Sequence, residues 1–321
     1  MTTIQTVCGG VPLEALGCTM MHEHIFMQYD EQWKGKIFDF VLPELWKLVH
    51  AGGRTLIDVM PKPDRRIAWY QQLAQQVDLN IILSTGFYLE KLPQYVFPEM
   101  RAWDEGRMAE MMLTELCEGI GGSGVRAGVI KVAADLPELT PFEQRALRAA
   151  ARVQQQTGVP ICTHACAGAR NQFDLLVQSG ADPQRIYLSH VEAEFGWEGR
   201  TLRQQAEYLC AIAREGGSLF FNNFAFEFDT PHEDLMYLMH FLADRGYSHR
   251  ILYGMDTNFT VDEDGSLWLE AQKEHPETAV RTYVYGLRQA QMLMRRWGFG
   301  DADFHIFLVE NPRRMFSTTR I

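Results

Sequence analysis

Short runs rich in β-branched residues alternate eight times with longer stretches of helical period along this 321-residue chain, and few architectures admit that alternation. The runs cover residues 19–26, 54–60, 80–87, 127–133, 159–166, 185–191, 218–223 and 250–256, each of strand length. Amphipathic stretches at 42–50, 64–77, 105–117, 141–157, 172–179, 202–215 and 232–245 lie between them. The fourth is fully punctuated, with Thr140 as N-cap, Pro141 at the first helical position and Gly158 beyond the end. Eight such units predict a closed (β/α)8 TIM barrel rather than an open sheet, and barrels of this kind need about 250 residues plus insertions. A small β-hairpin is expected around Gly9 and Gly10, and a long irregular loop at 257–278 follows the eighth strand, where lids are usually found. Residues 1–321 read as one domain.

Composition narrows the function. With 46% hydrophobic and 22% charged residues the chain can bury a sizeable core, which excludes disorder as its main state. A net charge of −11 without a long basic run argues against a nucleic-acid partner, because phosphate binding needs a positive footprint. No apolar stretch approaches the roughly 20 residues of a membrane span. The opening MTTIQTVCGG lacks the basic and apolar regions of a secretory signal, so a cytoplasmic protein is expected. Six cysteines without a CxxC pair suit a reducing compartment. The glycine-rich run at Gly121, Gly122 and Gly124 lacks the Gly-Lys-Ser/Thr of a phosphate loop and reads as a plain loop. His50, His232, His240, His249, His275 and His305 are expected at the surface.

His22 and His24 stand two apart in MHEH on the first strand, so both are expected to face the barrel interior and Glu23 to point outward. Such a pair alone is as readily explained by hydrogen-bonded core histidines. Lys131 changes the balance, since it lies in the apolar strand GVIKVAA with no obvious route to water. A snorkelling lysine or one paired with a carboxylate is the alternative. His164 in PICTHAC, His190 in IYLSHVE and Asp256 in ILYGMD each fall at the C-terminal end of an expected strand, the face where barrel enzymes carry their chemistry. Imidazoles and carboxylates are the usual ligands of zinc and related divalent ions, and four histidines with one aspartate suffice for two ions if a group bridges them. Lys131 is the candidate bridge, because a neutral lysine amine reacts with carbon dioxide to give an anionic carbamate. A binuclear centre lowers the pKa of a bridging water and polarises the electrophile, so the chemistry implied is hydrolysis. Cys162 and Cys166 flank His164, and Cys162 shares its strand face. A soft metal ligand there is the alternative to small core residues.

At these residues the sequence resembles the phosphotriesterase-like branch of the amidohydrolase superfamily. The likeness covers nearly the whole chain and lies in MHEH, GVIKVA, PICTHA, LYGMD and the closing NPRRMF, in that order. It implies that His22, His24 and Asp256 hold the more buried of two divalent ions, with zinc the first expectation by ligand type, and that His164 and His190 hold the other. N-carboxylated Lys131 would span both, and Asp256 would pass a proton from the attacking hydroxide to the leaving group. Tyr88, in STGFY after the third strand, matches a tyrosine that lactonase members place beside the metals. The resemblance also allows a homodimer.

Two departures bear on substrate. Lactonase members commonly carry an arginine after the seventh strand, whereas Phe224 stands there in LFFNNFAFEF. Many relatives follow the sixth strand with a Gly-His pair and acidic sequence, whereas this chain reads Ser189, His190, Val191, Glu192, Ala193, Glu194. The leading expectation is a metal-dependent hydrolase opening a small-molecule lactone or related ester. Phosphoester or phosphotriester hydrolysis at the same centre is the second, for which Lys273 and Arg281 are candidate anion contacts or solvated surface cations. A non-catalytic metal- or ligand-binding barrel is the third, and retention of Asp256 weighs against it.

Overall fold

The alternation resolves into parallel strands and covering helices. In a computed structural model, which describes every residue except Met1, Gln28, Tyr29, Asp135, 194–198, Glu270, Ala271, Glu274 and Thr278, an antiparallel hairpin of β1 (Thr3–Thr6) and β2 (Gly9–Pro12) comes first. Eight parallel strands follow: β3 (Cys18–Glu23), β4 (Gly53–Asp58), β5 (Asn80–Gly86), β6 (Val129–Ala133), β7 (Ile161–His164), β8 (Ile186–Ser189), β9 (Ser218–Phe221) and β10 (Ile251–Tyr253). They pair in chain order into one sheet that nearly closes into a barrel. The connections carry α1 (Lys34–His50), α2 (Ile67–Val77), α3 (Glu105–Cys117), α4 (Pro141–Thr157), α5 (Ala169–Gln178), α6 (Leu202–Arg214) and α7 (His232–Asp244).

Two apolar layers follow from the period of the strands. Met21, Ile57, Ile82, Val129, Cys162, Tyr187, Phe220 and Leu252 fill the barrel interior, and Met315 and Phe316 of the closing helix pack with them. The opposite strand faces meet the helices in a second, larger cluster. Above the inner layer, at the C-terminal strand ends, the interior turns polar.

Three local features depart from the expected pattern. Between Met20 and Glu23 three steps of β3 match two of β4, a bulge that breaks simple alternation. Glu23 therefore does not face outward: it is fully buried, and its carboxylate accepts hydrogen bonds from the backbone of Met255 and Thr257, both at 2.8 Å. With His24 N donating to Thr257 O at 3.0 Å, these bonds join the two edges of the sheet. Helix α1 begins at Lys34 and runs through Pro43, because burial of Ile37, Phe38 and Val41 favours helix upstream of the proline. The long loop after β10 is not wholly irregular, since β11 (Phe259–Val261) and β12 (Leu267–Leu269) pair as a hairpin with Phe259, Val261 and Leu269 turned inward. Among the described residues no helix is long and apolar enough to cross a membrane.

Candidate metal centre

His22, His24, His164, His190 and Asp256 converge at the C-terminal end of the barrel, and the donors sort into two groups. The ligand atoms of His22, His24 and Asp256 lie within 4.8 Å of one another, as do those of His164, Cys166 and His190. In the first group Asp256 Oδ1 stands 3.0 Å from His24 Nε2 and 3.3 Å from His22 Nε2. The groups adjoin: the His22 and His190 ring centroids are 5.3 Å apart, and Asp256 Oδ2 is 3.7 Å from His190 Nε2. Tyr88 meets the His164 ring edge-on at 5.4 Å.

Lys131 sits on β6, paired with Gly86 on one side and Cys162 on the other. It is 0% exposed, which excludes snorkelling, and its Nζ donates to Cys162 Sγ at 3.5 Å. Among the described residues no carboxylate forms an ion pair with it. Gly86 makes the approach possible, since a Cβ there would lie 2.0 Å from the Lys131 carbonyl oxygen.

Electrostatics divides the histidines. Burial, then the Lys131 charge, push His22 down to about 3 against the pull of Asp256. Burial and the adjacent His164 hold His190 well below its ordinary value. Burial acts on His24 in the same sense, but Asp256 and Asp58 outweigh it and raise its pKa. Burial alone would keep Asp256 neutral, yet His22, His24 and His190 hold its carboxyl well below the usual range. Two imidazoles are thus neutral and one carboxylate ionised at neutral pH, the protonation states that metal binding requires.

The donor set passes a structural test for a cation. Asp256 is 7% exposed, and its Oδ1 has no hydrogen-bond partner among the described residues although two imidazole nitrogens approach it. His24 Nδ1 is likewise buried without a hydrogen bond. Donor atoms gathered this closely in a buried site leave a desolvation cost that a cation between them would offset. Backbone strain marks the same spot. His190 and Asp256 have φ of 63° and 50°, and the remaining non-glycine residue with positive φ among those described is Asp78, a helix cap. Such conformations cost on the order of 1–3 kcal/mol each and persist where surrounding contacts fix them.

Those contacts include residues that the sequence reading missed. Asp58, at the end of β4, accepts from Ile25 N at 2.9 Å, Tyr70 Oη at 3.0 Å and Met60 N at 3.0 Å, and its Oδ1 faces His24 Nδ1 at 4.0 Å. Asn222 accepts from His190 N at 2.9 Å and sets its amide nitrogen 2.8 Å from the ring Nδ1. Glu192 in turn accepts from Asn222 N at 2.7 Å and Asn223 N at 2.6 Å, and burial pushes its carboxyl up to about 8. Position at a strand end, the signal that flagged Asp256, would have found Asp58. Nothing in the local sequence announces Asn222. Glu194, from the same run as Glu192, lies outside the described residues.

Phe224 is buried against Tyr253, and its carbonyl accepts from Arg281 at 2.9 Å. Arg281 is therefore not a solvated cation: it is tied to Phe224 and paired with Glu227 at 2.7 Å, behind a cleft that it lines with Asp256 and Asn258. Lys273 is exposed and paired with Asp262 at 2.5 Å. His232, expected at the surface, is mostly buried beneath Phe224.

Comparison with known proteins agrees with this geometry. The model of the phosphotriesterase family matches residues 2–316. An aryldialkylphosphatase of Saccharolobus solfataricus is 26% identical over 94% of this chain and 95% of its own. The solved organophosphorus hydrolase of Deinococcus radiodurans superposes with a TM-score of 0.82 at 28% identity, over 98% of this chain and 97% of that one. A mutant phosphotriesterase-like lactonase from the same organism gives 0.81 at 28%, over 98% and 100%. Matched from end to end by the family's model and by its solved members, the chain belongs to the phosphotriesterase family.

Proposed function

We propose that this protein is a metal-dependent hydrolase that opens small lactones. Hydrolysis of ester bonds follows from the family and its solved members; the lactone and the ions are our reading. The observation that carries it is the orphaned Asp256 Oδ1 between two imidazoles. His22, His24 and Asp256 would hold one divalent ion and His164 and His190 a second, zinc by ligand type, with carboxylated Lys131 between them. Two such ions supply Lewis acidity and bring the pKa of water toward neutrality.

The chain's own groups do the rest. Asp256, kept ionised by its histidines, accepts the proton of the attacking water and returns it to the departing alkoxide. Carboxylation of Lys131 would replace a buried cation with an anion among neutral imidazoles: the ammonium gives up one proton, the neutral amine adds to carbon dioxide, and a second proton leaves the nitrogen, two in all. Tyr88 packs edge-on beside His164 and would contact a substrate bound there. Pairing of Lys273 with Asp262 and of Arg281 with Glu227 favours a neutral substrate over an anionic one. A phosphotriester is also neutral, and the names of the archaeal and Deinococcus proteins keep that as the second reading. Metal-loaded protein assayed on lactone and phosphotriester panels decides between them. Faster turnover of lactones is expected, and two bound ions with no hydrolysis of either class would leave only a binding barrel.

A further inference from the structure

The more open donor group contains a residue that the family pattern does not assign. Cys166 Sγ lies 3.2 Å from His164 Nε2 and shares a donor cluster with His190. We infer that Cys166 is a third protein ligand of the ion held by His164 and His190, so that this position is a sulfur-containing site selective for soft divalent metals. The inference rests on the metal-dependent reading above.

The geometry suits an ion. Bonds of about 2.3 Å to sulfur and about 2.0 Å to nitrogen at a tetrahedral angle separate the two donors by about 3.5 Å, close to the spacing found. The thiol is presented by a short, pinned connection. Cys166 lies between the end of β7 at His164 and the start of α5 at Ala169. Ala165 N donates to Ser189 O at 3.1 Å, and Gln172 Nε2 donates to His164 O at 2.9 Å. Gly168, at φ +70°, lies against the connection from β6 to α4 so closely that a Cβ would meet Pro137 Cα at 2.7 Å. The loop thus has little freedom to carry Cys166 elsewhere.

Cys162, the cysteine with the matching strand parity, has a different place. Its Sγ lies below the donors, 3.5 Å from Lys131 Nζ and 3.8 Å from His22 Nδ1, and it belongs to the apolar interior. The first donor group already has a carboxylate, whereas His164 and His190 have none of their own. A thiolate adds a negative ligand on that side, beside the share of the Lys131 carbamate. Thiolate ligation favours zinc, cobalt and cadmium over manganese and magnesium.

X-ray absorption at the zinc edge tests this without reference to activity. Zinc-loaded wild type should show a sulfur neighbour at about 2.3 Å, on the order of one sulfur for every two ions. That neighbour should vanish in Cys166→Ala and remain in Cys162→Ala. Cobalt-loaded wild type should show a thiolate-to-metal charge-transfer band in the near ultraviolet that Cys166→Ala lacks. Two bound zincs with only nitrogen and oxygen neighbours in wild type would overturn the inference and leave the hydrolase reading standing. Sulfur that persists in Cys166→Ala would overturn it as well. Absence of zinc altogether would overturn both.

Discussion

The two halves of the donor set are held by different means. His22, His24 and Asp256 lie where the first and last barrel strands meet, and backbone groups on both sides are locked by Glu23 and Asp58. His164 ends β7, Cys166 and His190 lie just past the ends of β7 and β8, and His190 depends on the Asn222 side chain, itself oriented by Glu192. A donor fixed through backbone contacts changes only if the fold changes. One fixed through a side-chain relay tolerates adjustment, so variation in metal preference and substrate belongs on the second half.

Lys131, proposed to span both halves, gives the largest expected effect. Lys131→Ala should lose most bound metal and bring turnover to background, and Lys131→Glu should recover part of the metal. Elemental analysis and rescue of the alanine variant by short-chain carboxylates check this, and wild-type metal content in Lys131→Ala would end the bridging role. Asp256→Asn is next. It keeps an oxygen donor but cannot take the proton, so turnover should fall about 10²–10⁴-fold with metal counted on the same sample. Full metal with near wild-type turnover would make Asp256 a ligand only.

The contrast between halves is tested directly by their supports. Asp58→Asn should weaken one phase of a stepwise metal titration by about 10–100-fold, and Asn222→Ala the other phase by a similar or smaller factor. Equal weakening of both phases by either variant would erase the distinction. Tyr88→Phe should give the smallest change, a rise in KM of about 2- to 10-fold, as expected for one lost hydrogen bond, with metal content unchanged. An unchanged KM on the best lactone would remove Tyr88 from the site.

Much of this was legible in the sequence. Parallel strands buried on both faces leave continuous apolar runs, and helices α3 and α4 carry clear caps at Asp104 and Thr140, so the barrel could be counted. Strand-end position picked out His164, His190 and Asp256, the paired spacing His22 and His24, and a lysine inside an apolar strand Lys131. Period alone could not show the bulge at Met20 to Glu23, because an extra residue in one strand is visible only against its partner. It therefore misplaced Glu23. Asn222 and Arg281 were hidden because their roles are set by residues distant in sequence, His190 and Phe224. Cys166 stands at even spacing from His164, but it lies past the end of β7, where strand alternation no longer says which way a side chain points.

Glu23 also bears on the order in which the molecule is assembled. Its carboxylate joins positions separated by 232 and 234 residues, so nearly the whole chain must be in place before its donors arrive. Contacts that close such large loops carry the greatest entropic penalty and tend to form late. The histidines on either side of Glu23 meet Asp256 across that same joint. A chain in which that joint is not yet closed presents His22 and His24 without Asp256.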